Sequence, residues 1–442
     1  MGSDRGERVI RTIVGTVVTG DGRTVHEPGH VVIEDAVVLA VGGGRGPADR
    51  REDLGRAIIA PGLVNLHAHG LTRGPIHATG SPSLSDAEVT AFKERHLRGG
   101  TTTAMSVDGF PLWEESQALA RTHPLAVIKC TAHSPANVRA ARHADGTGLA
   151  PEHEQATMAE LLAAGARCIG EIGAGGTLGG GMQDYAYIPA AIRERCGVTV
   201  DTADARALKE AVLGRTIDPA NLDRRELERA MAAAGLRGVM REDAVIETIT
   251  HCVMPSMEHA YEGMREAARA SAETGAPFIV HHAAASAEVV VEVAGERMIA
   301  GHCNHPSFLP EEAVHFAREL RRRGATLELS GLDLFSKAPD LADAAPFRAL
   351  VRQGLVDVVG TDYAGGAFDP VSVPLFAIVR EGLIDIPRAV ALATGNVALR
   401  FPELTAAGLL EAGRPADLAV FSQDFDRVLG VEKAGVRVYS AA

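Results

Sequence analysis

Residues 61–70, PGLVNLHAHG, decide the fold. Leu63 to Leu66 make a short apolar strand that ends in His67-Ala68-His69. Side chains alternate across a strand, so residues two apart share a face. His67 and His69 therefore point one way and the small Ala68 the other. Two imidazoles side by side at a strand end can chelate one metal ion. Two core histidines with ordinary hydrogen bonds are the plainer reading, and the rest of the chain decides between them.

Outward from this strand, short apolar runs alternate with helical patterns between residues 59 and 403. The runs are 63–66, 101–107, 125–131, 166–172, 277–280, 298–301, 326–329 and 356–360. Helical segments separate them, such as 86–97, 151–164, 257–274, 310–323 and 343–353. Alternating β and α units imply a parallel sheet, and eight units imply a closed (β/α)8 TIM barrel of the α/β class. Residues 182–256 break the rhythm, being far longer than one crossover. The charged, Ala-rich run 201–235 within them predicts helices. Such an excursion covers the barrel mouth, makes a subunit contact or is an inert elaboration.

The two ends of the chain read differently. Residues 8–58 look all-β, with Val- and Ile-rich runs at 9–19 and 31–41 broken by turns at 20–22 and 42–46. After a turn at 413–415, the runs 417–422 and 435–439 return to this style. The expected organisation is a small β-sandwich built from 1–58 and 404–442. The barrel, 59–403, is inserted between them and carries the helical insertion at about 182–256.

A barrel makes a demand, because its active site lies at the C-terminal ends of its strands. The chemical residues meet it. Strand one ends in His67 and His69, and strand four carries Glu171 near its end. Strand five ends in His281 and His282, strand six in His302 with His305 three residues on, and strand eight in Asp362. His281 and His282 are neighbours, so only one readily faces inward, and His281 is preferred. Imidazoles and carboxylates suit zinc or ferrous iron. The candidate ligands His67, His69, Glu171, His281, His302 and Asp362 exceed the needs of one tetrahedral ion. They point to two divalent ions per chain, Zn and/or Fe(II), and a strand-four carboxylate is a reasonable bridge. The other histidines, His77 among them, fall mostly in helices or loops and are expected at the surface or behind the site. The glycine-rich run 173–181 follows a barrel strand and opens no clear helix, so it is not a dinucleotide fingerprint. A loop beside the site is the expectation there.

The chain has 442 residues, 46% hydrophobic and 23% charged, which suits a large barrel plus a smaller domain. No apolar run approaches a membrane span, and the first residues show no signal-peptide core, so a cytoplasmic protein is expected. The five cysteines are scattered without a CxxC pair, which argues against a disulfide framework or a cysteine zinc site. A formal charge of −13 argues against a nucleic-acid partner and leaves a small-molecule substrate.

Together these residues resemble the metal-dependent amidohydrolase superfamily over nearly the whole chain. PGLVNLHAHG resembles its strand-one motif. ATGNVALRF at 393–401 and LLEAGRPADLAVF at 409–421 resemble its C-terminal signature. Many members bridge their metals with a carbamylated lysine from strand four. Here strand four offers Glu171 and no lysine, which is similar to the bridging-glutamate branch that includes enamidase. Lys129 on strand three is a rival bridge. By this resemblance His67, His69 and Asp362 hold the first metal, His281 and His302 the second, and Glu171 bridges. A homo-oligomer, tetramer or dimer, is implied by the resemblance alone.

The implied reaction is hydrolysis of a C–N bond in a small cyclic amide or enamide, by a water ionised between the metals. Asp362 is the catalytic base and then acid, passing the proton to the leaving nitrogen. Substrate contacts are expected from Arg73 as a carboxylate clamp, and from His133, His282, His305 and Ser330, with Asp333 beside it. The rivals are a mononuclear-metal deaminase on the same fold and a lactonase-type hydrolase. A relative that has lost its metals is a third, non-enzymatic rival. The ligand set fixes the nucleophile and not the bond that is cut.

Overall fold

The computed structural model describes residues 10–47, 50–173, 183–331, 344–363 and 369–441. The chain opens with four strands, β1 (Ile10–Val18), β2 (Val25–Glu34), β3 (Val37–Gly43) and β4 (Arg51–Pro61). β1 runs antiparallel to β2 and parallel to β4. The C-terminal strands β13 (Leu418–Phe421), β14 (Val428–Lys433) and β15 (Val436–Ser440) extend the same sheet. Its order is β15-β14-β13-β4-β1-β2-β3. The sheet folds back on itself. The Val38 N–H donates to the Arg414 carbonyl at 2.9 Å and that of Ala416 to Ala36 at 2.8 Å. Ile13, Val17, Val31, Ile33, Val38, Ile59, Leu410 and Leu418 fill the space between, which makes a small sandwich. Charge also joins the two ends. The buried Glu432 carboxylate accepts from Arg11 and from Arg437, and Arg11 lies 421 residues earlier in the chain.

The expected strand 31–41 proves to be two. It comprises the end of β2 and the start of β3, with a turn at Asp35, whose φ is +51°. Aspartate tolerates the left-handed region, so no glycine or proline marks the turn in the sequence.

Eight strands among the described residues form a second, all-parallel sheet. They are β5 (Leu63–Ala68), β6 (Thr101–Ser106), β7 (Ala126–Thr131), β8 (Cys168–Ile172), β9 (Phe278–His281), β10 (Met298–Gly301), β11 (Thr326–Ser330) and β12 (Val358–Gly360). They lie in sequence order across the sheet. The ring closes between first and last. Ala68 bridges Tyr363, the Asp362 N–H donates to the His67 carbonyl at 3.0 Å, and the His69 N–H donates to the Tyr363 carbonyl at 2.9 Å. The barrel interior is packed by Val64, Leu66, Met105, Ile128, Cys130, Cys168, Ile279, Ile299 and Val358. Phe401 and Leu404, just past the helix Gly395–Arg400, join this layer.

Between β8 and β9 the excursion is helical, as its composition predicts. Its helices are Ile188–Cys196, Thr202–Leu213, Arg224–Ala233 and the long Glu242–Thr274. Asp201 and Asp223 cap the second and third by accepting from N–H groups in the first turn. The excursion lies against the loops that follow β9 and β10. Arg215 donates to the Ser307 carbonyl at 2.8 Å and pairs bidentately with Glu312 at 2.7 and 2.8 Å. Tyr261 donates to the Ala285 carbonyl at 2.5 Å. Those loops leave the C-terminal ends of their strands, so the excursion sits on the side of the barrel mouth.

Candidate metal centre

Strict alternation would turn some of the site residues outward. Two irregularities in register turn them in. In β5 the pairing with β6 shifts between Asn65 and Ala68, so His67 and His69 follow the interior Leu66 toward the mouth. In β8 the pairing with β9 shifts between Ile169 and Ile172. Cys168 faces the interior, Ile169 and Ile172 pack outside, and Glu171 points in. Glycine is required at Gly170, where φ is +121° and a Cβ would lie 2.4 Å from the Ile279 carbonyl oxygen. His302 and Asp362 also take left-handed backbone, at φ +62° and +51°. Non-glycine residues pay for that conformation, and such outliers gather at functional sites.

The side chains of β5, β8, β9, β10 and β12 then converge. Glu171 stands at the centre and divides its two oxygens. Its Oε2 lies 3.7 Å from His67 Nε2 and 3.7 Å from His69 Nε2. Its Oε1 lies 3.0 Å from His281 Nδ1 and 3.6 Å from His302 Nε2. Asp362 Oδ1 is 3.0 Å from His69 Nε2 and 3.6 Å from His67 Nε2, and its Oδ2 is 3.9 Å from His302 Nε2. Two groups able to hold an ion result, His67–His69–Asp362 and His67–Glu171–His302. The spacing leaves room for an ion. Donor atoms that share a metal at about 2.1 Å lie roughly 3.0–3.4 Å apart, and these stand at 3.0–3.9 Å. Most of these gaps are too wide for hydrogen bonds, and the fully buried His67 has no hydrogen-bond partner on either ring nitrogen.

The electrostatics follow from the same crowding. Burial opposes a charge on His67, but the carboxylates of Glu171 and Glu328 outweigh it and raise its pKa to about 9. Burial likewise opposes His69, and its hydrogen bonds to Asp108 and Asp362 raise it to about 10. Burial alone would raise Asp362, but His69 holds it down at about 2. Protons therefore compete with cations for these nitrogens.

The expected substrate contacts divide. His305 lies beside the cluster, its ring 5.3 Å from that of His281, with Nδ1 2.7 Å from Ser307 Oγ. His133 follows β7 and Ser330 ends β11. His133 Nε2 and Ser330 Oγ are buried without a hydrogen-bond partner. Arg73 is not a clamp at the site. Its guanidinium pairs with Asp86 at 2.7 and 2.5 Å, both side chains about half exposed. His282 is not a substrate contact either. It faces outward, with its ring 4.8 Å from that of Phe308 and 6.1 Å from that of Phe316. Burial lowers its pKa to about 3. Lys129 also lies away from the cluster, its amine 4.3 Å from the centre of the Trp113 ring. Residues 174–181 and Asp333 fall outside the described residues.

Three further groups were not singled out from the sequence. Asp108, two residues past β6, accepts from His69 Nδ1 at 3.0 Å, from the N–H groups of Gly70 and His77 at 3.0 Å, and from Ser106 Oγ at 2.8 Å. It fixes the tautomer that leaves His69 Nε2 facing the cluster. Glu328 is an inward position of β11, fully buried, with Oε1 3.6 Å from His67 Nδ1. Its Oε2 accepts the His302 N–H at 2.8 Å. His77 stacks near His69, with ring centres 4.6 Å apart. The strand-end rule that found Asp362 would have found Asp108. Asp108→Asn is expected to weaken ion affinity about 10- to 100-fold, read by competition with a chelator. Unchanged affinity would leave Asp108 a purely local role.

Known proteins agree with this architecture. The amidohydrolase family model matches residues 197–438, a span that holds His281, His302 and Asp362. The imidazolonepropionase of Paracidovorax citrulli is 27% identical over 377 residues, covering 83% of this chain and 77% of that protein. Two solved structures share the fold. The ochratoxinase of A. niger matches with a TM-score of 0.57 and 15% identity, over 99% of this chain and 97% of that one. The dihydropyrimidinase of Brevibacillus agri matches with a TM-score of 0.53 and 14% identity, over 98% and 95%. With more than half its length matched by the family model, the barrel closed and the strand-end cluster assembled, the chain belongs to the amidohydrolase family.

Proposed function

We propose that this protein is a metal-dependent hydrolase that cuts a C–N bond in a small cyclic amide or enamide, using two divalent ions, zinc or ferrous iron. The observation that carries the reading is the division of Glu171, one oxygen toward His67 and His69 and the other toward His281 and His302. Charge favours bound cations. Four carboxylates, those of Asp108, Glu171, Glu328 and Asp362, are buried in and around the cluster. A buried, uncompensated carboxylate costs several kcal/mol, so a cluster this acidic favours cations over an empty site. The enamidase-like substrate range rests on the bridging glutamate, and cyclic amides are also the substrates named in imidazolonepropionase and dihydropyrimidinase.

When bound, the ions supply an ionised water at neutral pH and polarise a carbonyl. His67, His69, His281, His302, Glu171 and Asp362 would hold them. The chain's own residues do the rest. Asp362 stays ionised at neutral pH, accepts the proton of the attacking water and returns it to the leaving nitrogen. An amide nitrogen leaves poorly without that proton. His305, His133 Nε2 and Ser330 Oγ offer polar atoms to orient the ring.

The test is metal content per chain, on protein purified without chelators, followed by a screen of imidazolonepropionate, dihydrouracil and a tetrahydropyridone. About two ions, with hydrolysis of at least one compound that a chelator abolishes, is the expected result. One ion, with release of ammonia from an aminated heterocycle instead, would replace this reading with a deaminase.

A further inference from the structure

His77 is held in place by three independent features. Its backbone is left-handed, at φ +59°, in a residue that has a Cβ. Its N–H donates to the buried carboxylate of Asp108 at 3.0 Å. The loop around it is pinned by the Ile76–Ser81 bridge and by the Gly80 N–H, which donates to the His77 carbonyl at 3.1 Å. These features bring the imidazole to the outlet of β5, its ring centre 4.6 Å from that of His69, in a residue that is not fully buried. A strained backbone pinned by a buried charge is an expensive way to place a side chain without a task.

One task would be a further ion, because His69, His77 and Asp108 bring donor atoms close together. Asp108 argues against it. Its two oxygens already accept from four donors, His69 Nδ1, Gly70, His77 and Ser106. A carboxylate so engaged fixes its surroundings and offers little to a metal. The ring of His77 is otherwise: it stands on the loop after β5, beside the ring of His69 at the cluster.

We propose that His77 contacts the substrate, hydrogen-bonding a polar atom of the cyclic amide from the β5 side. Asp108 thereby couples two tasks, aligning the ligand His69 through its ring and the substrate contact His77 through its backbone. The inference rests on the hydrolase reading above.

The experiment compares the metal-replete wild type with His77→Phe and His77→Gln. It measures ions per chain, thermal midpoint, and kcat and KM on the compound of the screen that the wild type hydrolyses. Both variants are expected to keep the wild-type ion count and midpoint. His77→Phe should lose at least tenfold in kcat/KM, mainly through KM, and His77→Gln should recover part of the loss. Wild-type kinetics in His77→Phe would overturn the substrate contact and leave the hydrolase reading standing. Loss of an ion in His77→Phe would overturn it in favour of a ligand role. A metal-replete wild type that hydrolyses none of the three compounds would overturn both.

Discussion

Asp362→Asn should keep its ions and lose about 10²- to 10⁴-fold in turnover, the range that a positioned general base supplies. Asparagine preserves the shape and one oxygen, so the contacts toward His67 and His69 largely survive. What disappears is the ability to take up a proton. A carboxylate is ionised across the whole physiological range, and without ions the hydrogen bond from His69 already holds this one at about 2, so the base is available. Ion content by elemental analysis, measured beside kcat on the same sample, separates the two effects. Full turnover in a metal-replete Asp362→Asn would remove Asp362 from proton transfer.

The second large effect concerns Glu171. Glu171→Ala deletes both central oxygens and should bring the protein to fewer than two ions per chain with no measurable hydrolysis. Glu171→Gln is the sharper variant, because it keeps one oxygen and replaces the other with an amide that cannot ligate. A bridging carboxylate predicts the loss of one ion and retention of the other. Two ions in Glu171→Gln would sink the bridge.

Much of this architecture can be read from the sequence because its signals are local. Each barrel strand is a short apolar run, and the strand-end rule sorts histidines and carboxylates by place in the chain. The structure brings His67, His69, Glu171, His281, His302 and Asp362 together at one point. What could not be read depends on contacts between distant segments. Glu328 sits between Leu327 and Leu329, and the pattern LEL does not say which face is inside. Here the leucines pack outward and the charge faces His67. Arg73 has the right position in the chain for a clamp, but Asp86 captures it at the surface. His77 looks like any loop histidine until Asp108, just past another strand, fixes its backbone. Glu171 itself faces inward only because β8 slips register, a feature no periodicity reveals.

The sandwich sheet sets the order in which the molecule can be completed. β4 pairs with β1 on one side and with β13 on the other, and Glu432 reaches Arg11 across 421 residues. Until the ribosome has delivered the whole barrel, β4 presents an open edge, and such edges invite pairing with other chains. The closing step joins the most distant parts of the chain, and contacts of that kind are the slowest to form. The sandwich therefore cannot be completed until the last strands of the chain have been made.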